Sequence, residues 1–432
     1  MRTTQIDAAA HAAADIPTAR IVRVWLLCFL IVLSDGFDLL LISYAAPGMA
    51  REWDIPKSSL GTILSASAVG MVVGLIAQGY LSERLGRKPV ILGSLLLFGA
   101  CSLVSAGARS ADQMIALRLL GGLGMGAVAP NVFTLTAEFA PSHLRARMLI
   151  AMNVGVPIGG LGAGAAGALL LAEHGWRVLF AIGGVLPLLL AGVVFFALPE
   201  SPAFLALREA RREAPRSGAA AAGAVDPPPV RGGLAALLSG ELRFRTLILW
   251  MLCGINLFLL YSIQGWLPLI LTASGMPENL ASLSGVFMGL GVILASLPLG
   301  WSADRFGTAR TLKVCFWAAA AAFVLTAHFL QAPLSFLLTG CVLLGVTSGG
   351  GQLLVTALGT MSYPTAVRAT GVGFVTIAGR VGAISGPALC GVLLGAGLSE
   401  KWLLILMSVP AAIGALGSGA AQRFDSGRSN AS

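Results

Sequence analysis

The sequence predicts an all-α membrane protein of twelve transmembrane helices arranged as two six-helix halves. Three observations predict it: the composition, the spacing of the apolar runs, and an internal echo. Of 432 residues, 56% are hydrophobic and 11% charged, less than half the roughly 25% charge of an ordinary soluble domain. A chain with so little polar surface needs lipid as its solvent. Its 55 glycines suit that setting, because small residues let membrane helices approach closely.

Apolar runs long enough for about 30 Å of hydrocarbon lie at 22–46, 60–81, 90–108, 113–137, 148–172 and 177–198, then at 245–272, 281–302, 311–331, 334–357, 370–394 and 400–420. The plan is therefore a tail (1–21), a first half (22–198), a linker (199–244), a second half (245–420) and a second tail (421–432). The linker, with Arg208, Arg211, Arg212, Arg216, an Ala/Gly stretch and Pro227, Pro228 and Pro229, reads as flexible and cytoplasmic. Residues 1–20 are polar or Ala-rich and the first run carries two aspartates, so it is expected to stay as an anchor and not be cleaved. This plan puts 21 of the 28 Lys and Arg on the side of both termini, 5 on the other side and 2 inside spans. By the positive-inside rule both termini are cytoplasmic.

The echo supports duplication. Gly79, Glu83, Arg84 and Gly86 recur as Gly300, Asp304, Arg305 and Gly307, each 221 positions on. Pro141, Ser142, Arg145 and Ala146 recur as Pro364, Thr365, Arg368 and Ala369. Both echoes follow matching spans, as in parallel repeats that place a central site at their interface.

The net charge of +9 does not point to nucleic acid, because the cations sit at the ends of apolar runs and not in a patch interleaved with aromatics. Cys28, Cys101, Cys253, Cys315, Cys341 and Cys390 all fall inside apolar stretches without ligand spacing and read as small core residues. The sequence carries no metal cluster, phosphate loop or nucleophile constellation, and no enzyme is expected.

The charges inside the spans carry the chemistry. Asp35 and Asp38 lie halfway along the first span, three residues apart and so on one helical face. A charge at that depth costs about 2.5–3.5 kcal/mol, which a proton removes. Proton coupling is one reading of the pair; a cap or an ion pair to another helix is the other. Arg118 and Arg380 are the basic residues inside spans, one in each half. Each guanidinium offers a planar fork to a carboxylate, either a substrate's or the protein's own Asp35 or Asp38. Phe37, Tyr44, Phe133, Tyr261, Trp266 and Phe374 are candidate ring faces for an aromatic body, against the ordinary alternative of core or lipid contact. Asn131, Asn256, Gln264 and Gln352 are candidates to contact a ring hydroxyl or to bridge helices. Glu138 is expected to pair with Arg145 or Arg147, and His328 to be a satisfied interior histidine.

The loop Gly79-Tyr80-Leu81-Ser82-Glu83-Arg84-Leu85-Gly86-Arg87-Lys88 resembles the major facilitator superfamily signature between the second and third helices, with Glu83 where Asp is usual. Asp35-Gly36-Phe37-Asp38 resembles the signature of the aromatic acid:proton symporters in that superfamily. Gly265-Trp266-Leu267-Pro268, Pro199-Glu200-Ser201-Pro202 and the run from Tyr363 to Pro387 fit as well. The resemblance implies the major facilitator fold around a central cavity, with Gly79, Glu83, Arg84, Gly86, Arg87, Asp304 and Arg305 as a conformational latch. It implies a proton-coupled symporter that imports an aromatic carboxylate of the 4-hydroxybenzoate, protocatechuate or benzoate type. The implied roles are Asp35 and Asp38 for the proton and Arg380, Arg118, Asn131, Phe37, Tyr44, Tyr261, Trp266 and Gln352 for the substrate. The proton is the only coupling ion expected, with no cofactor, in a monomer of a bacterial inner membrane. Uptake of another organic acid (nicotinate, muconate or a sugar acid), or proton-driven efflux of drugs or aromatic acids, is the alternative.

Overall fold

The computed structural model describes residues 17–141, 143–213, 237–240, 242–364 and 367–429. Ser142 and Thr365 of the second echo and Arg216, Pro227, Pro228 and Pro229 of the linker lie outside the described residues. Twelve helices are long and apolar enough to cross a membrane: α1 Thr18–Trp53, α2 Lys57–Leu85, α3 Arg87–Ser105, α4 Ala111–Phe139, α5 Arg147–His174 and α6 Arg177–Ala197 form the first half. The second half holds α7 Leu242–Ala273, α8 Glu278–Phe306, α9 Thr308–Phe329, α10 Leu334–Ser362, α11 Thr370–Gly395 and α12 Glu400–Gln422. Helices are the local solution because lipid offers backbone groups no other partner. Helices α1, α2, α4, α5, α7 and α8 run past their apolar stretches at both ends: α1, with 36 residues, is roughly 54 Å long at 1.5 Å per residue. A further amphipathic helix, Pro202–Glu213, follows the first half, and α5 is interrupted at Val154.

The echo is a structural repeat. Gly86 (φ +100°) and Gly307 (φ +89°) close the short links α2–α3 and α8–α9 in backbone conformations that cost glycine little. In the first half α2 packs on α4, α1 on α5 and α3 on α6; in the second, α8 packs on α10, α7 on α11 and α9 on α12. The close approaches repeat too. A Cβ at Gly70 would press on the Leu119 carbonyl of α4, and one at Gly291, 221 positions later, on the Val342 carbonyl of α10.

The halves meet through α2 against α11 and α5 against α8, with α1 beside α7. Their contacts are one-sided. Gly61 lies against Pro387 and Gly391, Gly164 against Ser282 and Val286, and the Ser65 hydroxyl donates to the Ile384 carbonyl at 2.9 Å. At the helix ends on this face Arg51 pairs with Glu278 at 2.5 Å and Lys57 with Glu400 at 2.8 Å. Near mid-depth Arg380 reaches Met71 Sδ across the halves at 3.7 Å. On the face bearing the described chain ends, a Cβ at Gly79 or Gly300 would meet nothing within 4 Å. One apolar core runs through both halves, while a second, built on Val24, Ile31, Ile91, Phe98, Leu135 and Val194, belongs to the first half alone. The halves are thus sealed on one face and parted on the other.

Candidate functional site

Asp35, Asp38 and Arg380 lie near the middles of α1 and α11, and Arg118, in the first third of α4, joins them through Asp38. Gly36 lets α1 approach α5 until a Cβ there would strike the Val156 backbone, and Asp35 and Asp38 flank that contact point. Asp38 is 1% exposed and Arg118 2%. Arg118 Nη1 donates to Asp38 Oδ2 at 3.0 Å, its Nη2 to the Asp38 carbonyl at 3.0 Å and its Nε to Ser67 Oγ at 2.9 Å, with the Phe180 ring 5.9 Å from the guanidinium carbon. All three guanidinium nitrogens are engaged inside the first half.

Arg380 differs. It is half-buried on α11, and its Nη1 donates to the Tyr261 hydroxyl of α7 at 3.1 Å and reaches Met71 Sδ across the half interface at 3.7 Å. Its Nε and Nη2 have no acceptor among the described residues. Asp35, 5% exposed, makes no hydrogen bond or ion pair among the described residues, and the charges of Asp38 and Arg380 act on it. The second oxygen of Asp38 and the Ser34 hydroxyl are likewise buried without a partner.

The other candidates separate. Gln352 on α10 accepts from Asn256 Nδ2 at 2.8 Å, and Tyr44 and Gln264 line a cavity of about 30 Å³ on the sealed side. A second cavity of about 20 Å³ is lined by Ser43, Ser67, Tyr261 and Gln264. Neither has room for an aromatic ring. Phe37 packs toward Gly162 of α5 and the Tyr44 ring against Gly285 of α8. Trp266 is fully buried and donates from Nε1 to the Pro387 carbonyl at 2.9 Å, tying α7 to α11. Asn131 lies a third of the way from the α4 end: it donates to Gln78 and the Ala127 carbonyl and accepts from Ser82 at 2.6 Å, bracing α2 against α4. Phe133 is partly buried in the first-half core, and Phe374 is tilted against Trp250 at 6.2 Å.

At the loop between α2 and α3, Glu83 is exposed and without a partner among the described residues. The acid that accepts from the α3 N-terminus is Glu200, whose Oε1 takes the Arg87 amide at 2.9 Å and the Lys88 amide at 3.3 Å, as a negative charge at a helix start should. Arg84 stacks on Tyr80 at 4.0 Å, and Arg305 lies 5.3 Å from the Trp301 ring beside an exposed Asp304. Glu138 pairs with Arg87 at 3.9 Å and accepts from Ser201, in place of the expected Arg145 or Arg147, because the α4 end faces the α3 start and Ser201. His328 is exposed near the end of α9, not interior, and its Nδ1 bonds to the Val324 carbonyl of its own helix at 2.8 Å. All six cysteines are buried free thiols, as expected.

Sequence reasoning missed three partners: Ser67, Glu200 and the π-helical turn Gly345–Gly349 inside α10. Ser67 and Glu200 carried weak signals, a polar residue at mid-span and an acid just past a span. The run Gly345-Val346-Thr347-Ser348-Gly349 reads only as one more glycine-rich stretch.

Two six-helix halves around a mid-depth layer of charge, sealed on one face, define a multi-pass membrane carrier, not an enzyme. The profile of the Major Facilitator Superfamily matches residues 27–387 and 272–424. The chain belongs to that superfamily and, within it, to the aromatic acid:proton symporter family. It is 36% identical over 408 residues to the 4-hydroxybenzoate transporter PcaK of Pseudomonas putida, covering 91% of each chain. It is 36% identical over 403 residues to a gallate transporter of Pseudomonas putida, covering 90% of this chain and 89% of that one. Its fold matches a crystal structure of a D-xylose-proton symporter with a TM-score of 0.74 at 20% identity, over 91% of this chain and 96% of that one.

Proposed function

We propose that the protein imports an aromatic monocarboxylate of the 4-hydroxybenzoate, protocatechuate or benzoate type together with protons, across a bacterial inner membrane with both termini in the cytoplasm. The observation that carries this reading is the unequal state of the two arginines. Arg118 is engaged on every nitrogen by Asp38 and Ser67, whereas Arg380 keeps Nε and Nη2 free beside an unpaired Asp35. A free Nε–Nη2 edge is the geometry that takes both oxygens of a carboxylate. The relatives named for 4-hydroxybenzoate and gallate support an aromatic body on that carboxylate, and Tyr261 is the ring beside it.

Asp35 is the proton carrier in this account. Its charge at mid-membrane costs about 2.5–3.5 kcal/mol, and protonation removes that cost as the loaded carrier reorients. Asp38 and Arg118 form an internally neutral pair beside it. One proton per monoanion makes the cycle electroneutral; a second adds one net charge and about 2.3 kcal/mol per 100 mV. Alternating access then requires the sealed face to open and the parted face to close. The Arg51–Glu278 and Lys57–Glu400 pairs are partly exposed and such pairs are worth about 0–1 kcal/mol each, weak enough to break in every cycle. Glu83, Arg84, Arg87, Asp304 and Arg305, on the parted face, are the groups that latch it in the opposite state.

The test is uptake of radiolabelled 4-hydroxybenzoate, benzoate and protocatechuate into cells expressing the protein, with and without an uncoupler. Accumulation of at least one acid that the uncoupler abolishes is expected. No accumulation of any of them would overturn the reading.

A further inference from the structure

On the second-half side of the mid-depth layer, α7 and α10 build a polar cluster that neither the carboxylate nor the proton uses. The backbone of α10 winds as a π-helix over Gly345–Gly349, a local irregularity that recurs at functional sites. The Ser348 carbonyl within it accepts from Asn256 Nδ2 at 3.2 Å, and the same amide nitrogen donates to Gln352 Oε1 at 2.8 Å. Gln352 is thereby oriented with its oxygen occupied; of its two Nε2 hydrogens one is turned to the Cys253 sulfur and the other is left as a donor. The Ser348 hydroxyl is buried, its residue 1% exposed, and has no partner among the described residues. Gln352 is half-buried and lies beside Cys253, on which the Arg380 charge also acts, so the amide and the guanidinium share one neighbourhood.

We infer that Gln352 and Ser348, oriented by Asn256, form the subsite that recognises a phenolic hydroxyl on the substrate ring, while Arg380 and Tyr261 hold the carboxylate at the other end. This inference rests on the import reading above. A phenol both donates and accepts, and the cluster supplies the complement of each: a donor on Gln352 Nε2 and an acceptor on Ser348 Oγ. A ring without the hydroxyl leaves both unanswered, and a site built this way discriminates against the analogue that lacks the group.

The experiment is competition by unlabelled 4-hydroxybenzoate and unlabelled benzoate against uptake of labelled 4-hydroxybenzoate, in proteoliposomes with an imposed pH gradient. The readout is the ratio of the two half-inhibitory concentrations in the native protein, Gln352→Leu and Ser348→Ala. The native protein should favour the hydroxylated acid. Gln352→Leu should bring the ratio down by about three- to tenfold, the range of one neutral hydrogen bond, and Ser348→Ala should move it the same way. Where Gln352→Leu no longer transports, the same ratio is read from ligand-induced thermal shifts of the purified protein. A native ratio of one, or a ratio unmoved in Gln352→Leu, overturns the inference. Failure of the native protein to take up labelled 4-hydroxybenzoate strikes the import reading for that acid instead.

Discussion

The two intramembrane arginines are chemically identical and structurally opposite. Arg118 sits in the first half with every nitrogen engaged and 2% of its surface exposed; Arg380 sits in the second, half-buried, with one nitrogen engaged and two without an acceptor among the described residues. A buried pair such as Asp38–Arg118 is closed to an incoming anion, because the anion would have to displace a carboxylate already in place. Under the proposed function, the arginine that reaches across the half interface with spare donors is the one that meets the cargo. Charge alone does not assign a role in a membrane; the saturation of its hydrogen bonds does.

The largest expected effect is at Arg118. Arg118→Leu strands the Asp38 carboxylate in a buried site, a change worth about 3–5 kcal/mol, so the purified protein should show a clearly lower thermal unfolding midpoint. Adding Asp38→Asn should restore much of it. An Arg118→Leu protein as stable as the native one would break the contrast between the two arginines.

Arg380 should respond the other way round. Arg380→Lys keeps the charge and loses the fork, and is expected to weaken apparent affinity for the acid by about tenfold, one or two charge-assisted bonds' worth. Its unfolding midpoint should stay near that of the native protein, because the site is half-exposed and one partner is a neutral hydroxyl. Unchanged affinity in concentration-dependent uptake would remove Arg380 from the substrate. A large loss of stability would make it a second Arg118.

Much of this was legible from residue order alone. Twelve apolar runs became twelve helices, and the 221-residue echo reappeared as paired left-handed glycines and as the same helix pairings in both halves. Asp35, Asp38, Arg118 and Arg380 stood out because a charge in an apolar span is costly and therefore conspicuous. What the sequence left open was pairing. Whether Arg118 meets Asp35, Asp38 or a ligand depends on helix rotation and tilt, which neighbouring helices set and span length does not. Trp266 and Asn131 look like ring or hydroxyl contacts in sequence, yet their polar atoms are used to tie one helix to the next. Glu200 takes the helix cap at the α3 start because the chain folds back after α6 and brings that acid there. No residue pattern announced the π turn of α10.

The central claim is that Asp35, buried and unpaired beside Arg380, couples the proton to the acid. The most direct test measures two modes of transport by Asp35→Asn in proteoliposomes: accumulation driven by an imposed pH gradient, and exchange of labelled for unlabelled acid without a gradient. The account predicts that gradient-driven accumulation is lost while exchange persists, because the substrate site on Arg380 remains and the proton site does not. Accumulation by Asp35→Asn equal to that of the native protein would contradict it.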